Sequence, residues 1–143
     1  MLRLREVYSE LVSRGFFESG ERREFLEEVA LEAVERGVRS RRLVVVRAPP
    51  GIGKTAISAT LATSISAGLL EEYLQLIHVV PTRTLVEDLR RGIVEGLSRV
   101  IGDEKLAERL VVRQYGLAHE APHLSGLFVV TTYDTYFYNT VKL

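Results

Sequence analysis

The chain has 143 residues, with 46% hydrophobic and 27% charged side chains, which is typical of a protein that folds around an apolar core. Its 19 basic and 19 acidic residues balance, which excludes a uniformly basic nucleic-acid coat but allows a local basic groove. The absence of cysteine excludes disulfides and thiolate chemistry, and no apolar run approaches the ~20 residues of a membrane span.

The first 41 residues predict two leading helices. Apolar positions recur at helical spacing over residues 1–20, and this helix is expected to end near Gly15. A second helix is predicted over 21–36, with Gly37 as its C-cap glycine. Its charged face is interpreted as a solvated surface with i,i+4 ion pairs. Its predicted apolar face consists of Phe25, Leu26, Val29, Ala30, Ala33 and Val34.

A phosphate-binding loop is predicted after an apolar strand at 43–47 and before a helix at 55–67. The loop carries the G-K-[ST] ending of this motif, with alanine where the general pattern begins with glycine. The alternative, a glycine turn that binds nothing, is disfavoured because both flanks are those the motif requires. The residues predicted to bind nucleotide are Ala48, Pro49, Pro50, Gly51, Ile52, Gly53, Lys54 and Thr55.

Each part of this loop has a chemical reason. Glycines let successive backbone N–H groups turn toward phosphate oxygens, where a Cβ would crowd them. The helix start adds unpaired N–H groups and the positive end of its dipole. Lys54 is predicted to reach the β- and γ-phosphates as the catalytic residue, and the Thr55 hydroxyl to ligate Mg²⁺. The expected cofactors are therefore ATP and Mg²⁺.

The remaining chain alternates strands with helices. Strands are predicted at 74–80, 109–114 and 127–131, and helices at 84–99 and 103–109. Such alternation indicates βαβ units and a mostly parallel sheet covered on both faces. The fold class expected is α/β, a P-loop NTPase sheet flanked by helices, in one domain.

Two strand ends are candidates for contacts with a nucleic-acid backbone. Pro81, Thr82 and Arg83 follow the strand at 74–80, where a helix start could hold a phosphate, although a capped helix explains this stretch equally well. Thr131 and Thr132 end the last strand, at the carboxyl edge where ligands bind in such folds.

Asp134 follows the paired threonines but is not interpreted as a Walker B carboxylate. In that motif the aspartate follows the apolar run directly, whereas three residues intervene here. Capping a short helix is the role predicted for Asp134.

One further motif is rejected as a zinc site. The stretch from His119 to His123 matches H-E-x-x-H, which requires both histidines on one helical face. Pro122 disfavours helical geometry there, so a surface loop is predicted.

Together these segments resemble superfamily 2 helicases. Residues 48–55 resemble motif I, 79–89 motif Ia and 129–135 motif Ic, over roughly 42–140 of the chain. Within that superfamily they are most similar to the CRISPR-associated helicase of type I systems. The resemblance implies an ATP-dependent DNA helicase acting in antiviral defence, with a RecA-like domain that binds Mg·ATP. Pro81, Thr82, Arg83, Thr131 and Thr132 would then hold single-stranded DNA.

Several features of such helicases are not found in residues 1–143. A DEAH-like Walker B motif, motif III and the second domain with its arginine fingers are missing, so we expect the N-terminal part of the first RecA-like domain, inactive alone. The remainder of the helicase and a CRISPR effector complex would be partners, in the cytoplasm of a thermophile. The alternatives are another P-loop NTPase or superfamily 2 ATPase, or a nucleotide-binding module without activity.

Overall fold

The computed structural model describes residues 4–17, 25–116, 118–120 and 122–141. These fold into two compact units, Met1–Leu70 and Glu71–Leu143. The described part of the first unit is helical, and the second contains a sheet with helices. None of the described helices combines the length and the apolar character that crossing a bilayer requires.

The first unit begins with helix α1, Leu4–Ser13, whose apolar stripe is buried. The helix ends because Gly15 takes a left-handed φ of 77° and its N–H donates to the Val12 carbonyl at 3.0 Å. The prediction of an amphipathic helix ending near Gly15 is confirmed. Its buried residues are Leu4, Val7, Tyr8 and Leu11.

The second predicted helix begins with a π-helical turn, Phe25–Ala30, and continues as helix α2, Leu31–Arg39; residues 18–24 lie outside the described part. A π turn inserts an extra residue and rotates the helical face of the residues after it. The predicted apolar face is therefore partly wrong, because Val29 and Ala33 face solvent while Leu31 is buried.

Gly37 does not cap this helix, and that prediction is wrong. It lies inside α2 and is buried, and a Cβ added there would collide with the Val44 side chain. The Arg42 N–H donates to the Gly37 carbonyl at 2.8 Å, which turns the chain back along the helix. Gly37 thus serves the close approach of Val44 to α2.

The strand predicted at 43–47 is also wrong. Residues 42–48 have no regular secondary structure and pair with no described strand, and Leu43 and Val45 are 92% and 81% exposed. Within the predicted strand, Val44 and Val46 are half-buried. An apolar run becomes a strand only where a partner supplies ladder hydrogen bonds. Here Val44 packs on α2 instead.

Helix α3, Thr55–Ser66, confirms the helix predicted after the glycine loop. It lies against α1 and buries small side chains, which let the two helices approach. The Thr60 and Ser64 hydroxyls donate to carbonyls one turn earlier, at 2.7 and 2.8 Å, so these buried polar groups are satisfied.

The second unit is built on a sheet whose described strands have the order β1-β4-β2-β3. Strands β1, Leu76–Val80, and β2, Val111–Tyr115, each pair in parallel with β4, Phe128–Thr132, while β3, Ala118–His119, is antiparallel to β2. The predicted strands thus form with shifts of one or two residues. All five residues of β4 are buried, as expected for a central strand. The α/β class and the parallel arrangement are confirmed.

Three helices accompany this sheet: α4, Arg83–Ile101, α5, Glu104–Leu110, and α6, Tyr133–Val141. Thr82 caps α4 by accepting from the Leu85 N–H at 3.4 Å, and Asp103 caps α5 by accepting from the Leu106 N–H at 3.0 Å. Helices α4 and α6 contact β1 and β4, and α4 also contacts β2. Helices α4 and α6 begin shortly after β1 and β4 end, so their first turns lie at the carboxyl ends of these strands.

Candidate functional site

The glycine loop has the backbone geometry that its sequence requires. Gly51 and Gly53 take φ values of 81° and 90°, which side chains with a Cβ rarely adopt. Lys54 then enters the right-handed region, with φ −52° and ψ −31°, and α3 begins at Thr55. The glycine turn and the helix after it are therefore present, although no strand forms before them in the described residues.

The Lys54 side chain folds back over this loop. Its ammonium donates to the Ala48 carbonyl at 2.6 Å and to the Pro49 carbonyl at 3.2 Å. The cation is therefore held above the first residues of the loop and remains exposed. A phosphate at the loop would compete with these carbonyls for a charge that is already in position.

Helix α3 begins directly after the glycine turn. The Ala56 and Ile57 N–H groups donate to the Gly53 and Lys54 carbonyls, at 2.9 and 3.1 Å, so the turn is tight. The N-terminus of a helix is the positive end of its dipole, although the Ala56 and Ile57 N–H groups are already engaged by this turn. The exposed Thr55 hydroxyl lies at the first helical position.

These residues fit Mg·ATP. Glycine at 51 and 53 permits backbone approach to an anion, Lys54 supplies a cation, and Thr55 supplies one oxygen ligand. Among the described residues no group of three or more His, Asp or Glu side chains could hold a metal ion. Mg²⁺ commonly takes few protein ligands together with phosphates and waters, so this arrangement suits it.

At the carboxyl edge of the sheet, Pro81, Thr82 and Arg83 are exposed. The Arg83 guanidinium lies 5.8 Å from the centre of the Tyr115 ring, a cation–π distance. A Cβ built on Gly116 would lie 3.4 Å from the same guanidinium, so Gly116 is also its neighbour. Arg83, at the end of β1, is thereby brought beside the end of β2.

The two threonines predicted to contact nucleic acid are enclosed. Thr131 is fully buried, and its hydroxyl donates to the Gln114 carbonyl at 2.7 Å. Thr132 is 2% exposed, and its hydroxyl oxygen lies within hydrogen-bond distance of the Thr135 hydroxyl, at 3.0 Å. A backbone phosphate could reach them only after this edge rearranged, in contrast to the exposed Arg83.

An ionic network connects α4, β2 and the residue after β3 next to the carboxyl edge of the sheet. The Glu87 carboxylate accepts hydrogen bonds from the Tyr115 hydroxyl and from Arg113. The Tyr115 hydrogen bond, followed by the charge of Arg113, lowers the pKa of Glu87 despite its partial burial, and the same bond raises the pKa of Tyr115. Glu120 pairs with Arg113 at 2.8 Å and with Arg90 at 3.4 Å.

The H-E-x-x-H stretch is not a helix. His119 lies in β3, and His123 lies in a short 3₁₀ turn, Pro122–Leu124, with a left-handed φ of 56°. Ala121 lies outside the described residues. The non-helical geometry expected from Pro122 is confirmed, but His119 lies in a strand rather than in the predicted surface loop, and Glu120 belongs to the ionic network.

Asp134 lies inside the first turn of α6, one residue after the helix begins at Tyr133, so it is not at the capping position that the sequence predicted. Hydrogen bonding from Thr132 is the largest cause that lowers the pKa of Asp134, followed by the Thr135 backbone; Arg83 also contributes. The carboxylate is therefore ionised at neutral pH and interacts electrostatically with Arg83.

The sequence did not indicate a cleft of about 540 Å³ in the second unit. It lies between the end of β2, the turn around His123 and the first two turns of α6, and Gln114 is part of its wall. A single glutamine in an apolar strand carries no motif, so its position in a cleft becomes visible only once β2, β4 and α6 are assembled.

No family model matches the chain, and neither a curated protein nor a solved structure does.

Proposed function

We propose that residues 48–55 bind the phosphates of Mg·ATP. The observation that carries this proposal is the coincidence, within one turn, of two glycines at positive φ, a helix start and the Lys54 ammonium held over the loop. Backbone N–H groups of the loop would surround phosphate oxygens, and Lys54 would exchange its two carbonyl acceptors for the β- and γ-phosphates. Thr55 would supply the protein's oxygen ligand to Mg²⁺.

The wider activity proposed is that of an ATP-dependent DNA helicase in CRISPR interference. It rests on the resemblance of the segments at 48–55, 79–89 and 129–135 to helicase motifs. Exposed Arg83 would contact the phosphate backbone of single-stranded DNA together with Pro81 and Thr82. The rest of a helicase and a CRISPR effector complex would be the partners in this function.

A second candidate function is that of another P-loop NTPase, without a DNA grip at this edge. The observation that favours it is the burial of Thr131 and Thr132, whose hydroxyls are engaged inside the protein. Under this alternative, the loop binds nucleotide but the carboxyl edge does not hold a polynucleotide.

Titration calorimetry with Mg·ATP tests the nucleotide proposal. Lys54→Ala is expected to weaken binding by tenfold or more, since a charge-assisted contact to phosphate is lost (about 1.5–3 kcal/mol). Lys105→Ala, which removes an exposed lysine from α5, serves as the matched control and should bind like the wild type. Equal affinities for the wild type and Lys54→Ala would refute the assignment of the loop.

Fluorescence anisotropy with a labelled single-stranded oligonucleotide distinguishes the two candidate functions. Arg83→Ala should weaken binding and reduce the slope of log affinity against log salt by about one, as expected for one lost phosphate contact. Arg109→Ala, at an exposed arginine in α5, is the control. An unchanged slope in Arg83→Ala would favour the NTPase without a DNA grip.

A further inference from the structure

The cleft at the end of β2 is open to solvent and is lined by polar and aromatic side chains. Its volume of about 540 Å³ falls within the ~300–1,000 Å³ of ligand pockets. The side chains that matter to its chemistry are Gln114, Tyr115, His123, Asp134, Tyr138 and Asn139. All belong to the second unit and none to the glycine loop.

Gln114 presents an oriented hydrogen-bond donor to this cleft. It is only 8% exposed, and its Oε1 accepts from the Leu124 N–H at 2.7 Å. Because an N–H must face the oxygen, this bond fixes the amide, and no described residue accepts a hydrogen bond from its Nε2 group. Among the described residues no buried side-chain N or O atom lacks a partner, so Nε2 is reached by solvent and is open to a ligand.

The same cleft offers acceptors from α6. The Asn139 Nδ2 group donates to the Thr135 carbonyl at 2.8 Å, which leaves its Oδ1 as an acceptor. Asp134 adds a carboxylate, whose pKa is lowered first by hydrogen bonding from Thr132. The cleft therefore combines a donor on its buried side with acceptors on the helix side.

Aromatic rings complete the lining. Tyr115 and Tyr138 both contribute to the walls, and Tyr138 is 63% exposed. Planar heterocycles stack on such rings whatever their sequence context, and amide side chains recognise the donor and acceptor groups of base edges. Arg83, beside Tyr115, places a cation near the rim.

We propose that this cleft binds a nucleobase that carries an exocyclic amine next to a ring nitrogen, as adenine and cytosine do. The ring nitrogen accepts from Gln114 Nε2, the amine donates to Asp134 or Asn139, and a tyrosine ring stacks on the base. Uracil and thymine are disfavoured, because they present a carbonyl oxygen to the carboxylate. The base belongs either to a free nucleoside or nucleotide or to a single strand.

Adenosine is the probe that tests this proposal, because it has no phosphate for the glycine loop to hold. Calorimetry at pH 8 should show saturable binding to the wild type, with uridine at least fivefold weaker. Gln114→Glu keeps an acceptor for the Leu124 N–H but removes the donor, and should weaken adenosine binding about tenfold. Lys105→Ala, an exposed substitution in α5 at a residue that does not line the cleft, should bind adenosine like the wild type.

Asp134→Asn provides a second, exposed variant, should Gln114→Glu fail to fold by circular dichroism. In this variant the affinities for adenosine and uridine should differ by less than in the wild type, because an amide tolerates the carbonyl that a carboxylate repels. The proposal is overturned if adenosine does not bind, if uridine binds equally well, or if both Gln114→Glu and Asp134→Asn bind adenosine like the wild type.

A further comparison distinguishes a free nucleoside from a base within a single strand. A (dA) oligonucleotide that binds far more tightly than adenosine, and is weakened by Gln114→Glu, identifies a single strand; similar affinities identify a free nucleoside. Failure of this proposal is separate from failure of the proposed nucleotide function, which is measured with Mg·ATP and Lys54→Ala.

Discussion

The glycine loop and the carboxyl edge of the sheet differ in what holds their shape. In the loop, Lys54 bonds carbonyls only five and six residues earlier, and glycine φ angles set the turn. At the edge, Tyr115 reaches Glu87 across 28 residues and Leu124 reaches Gln114 across 10. Local geometry of the first kind can be inferred from a short motif, whereas the second kind exists only after the sheet has formed.

Two apolar runs show the same contrast. Residues 43–46 and 128–130 are both strings of apolar side chains, yet Val45 is 81% exposed while Val129 and Val130 are fully buried. Both runs consist entirely of apolar side chains. The difference lies in β1 and β2, which flank β4 on both sides and supply its ladder.

The largest expected effect comes from testing this contrast in stability. Phe128→Ala removes a buried ring from the central strand and should lower the free energy of unfolding by about 3–5 kcal/mol. Val45→Ala, in the exposed run, should change it by less than about 0.5 kcal/mol. Urea unfolding measures both. A loss above about 1.5 kcal/mol in Val45→Ala would indicate that residues 43–47 do form a buried strand.

A smaller effect tests the local geometry of the loop. Gly51 and Gly92 both have open space for a Cβ, but only Gly51 has a positive φ. Gly51→Ala should therefore cost about 1 kcal/mol, whereas Gly92→Ala, inside α4, should stabilise by about 0.5–1 kcal/mol. Thermal unfolding of the two variants measures the difference. Equal shifts would mean that the loop does not hold Gly51 in this conformation.

The smallest effect concerns the network beneath the edge. Because the pKa of Glu87 is lowered in the folded state, its contribution is present above its ordinary value and is lost as pH falls through the folded pKa. Glu87→Gln should thus cost about 0.5–1 kcal/mol at pH 7, since the pair is partly exposed, and less at pH 3. Urea unfolding at the two pH values checks this. A cost independent of pH would contradict the ionic origin.

The hydrogen bond between Tyr115 and Glu87 also makes the stability depend on pH in the alkaline range. It is raised in the folded state, so this part of the stability is complete below the ordinary tyrosine value near 10.0 and is lost as pH rises through the folded pKa. Tyr115→Phe lacks the hydroxyl and should remove this alkaline dependence, which urea unfolding across the alkaline range would measure.

Much of the second unit could be predicted from sequence. Local sequence indicates the alternating strands and helices, the Thr82 cap and the helix after Asp103, and the structure contains all of them. The turn of Gly51 and Gly53 and the helix at Thr55 are likewise explained by glycine chemistry and helix pattern.

The features that sequence could not predict depend on partners distant in the chain. In the sequence, Gly37 resembles the glycine that ends a helix. The actual reason for a glycine there is the close packing of Val44 against it, which only the folded structure shows. The burial of Thr131 requires β2 as a neighbour, and the orientation of the Gln114 amide requires the turn at Leu124. Each of these features is a tertiary contact without a motif.

The central claim, that the glycine loop captures a triphosphate, is tested most directly by titrating the ¹⁵N-labelled protein with Mg·ATP and recording backbone amide signals. Saturable shifts are expected at Gly51, Gly53, Lys54 and Thr55, and in Lys54→Ala the shifts at Gly51, Gly53 and Thr55 should need at least tenfold more Mg·ATP. An absence of shifts in the wild type, or the same midpoint in Lys54→Ala, would contradict this claim.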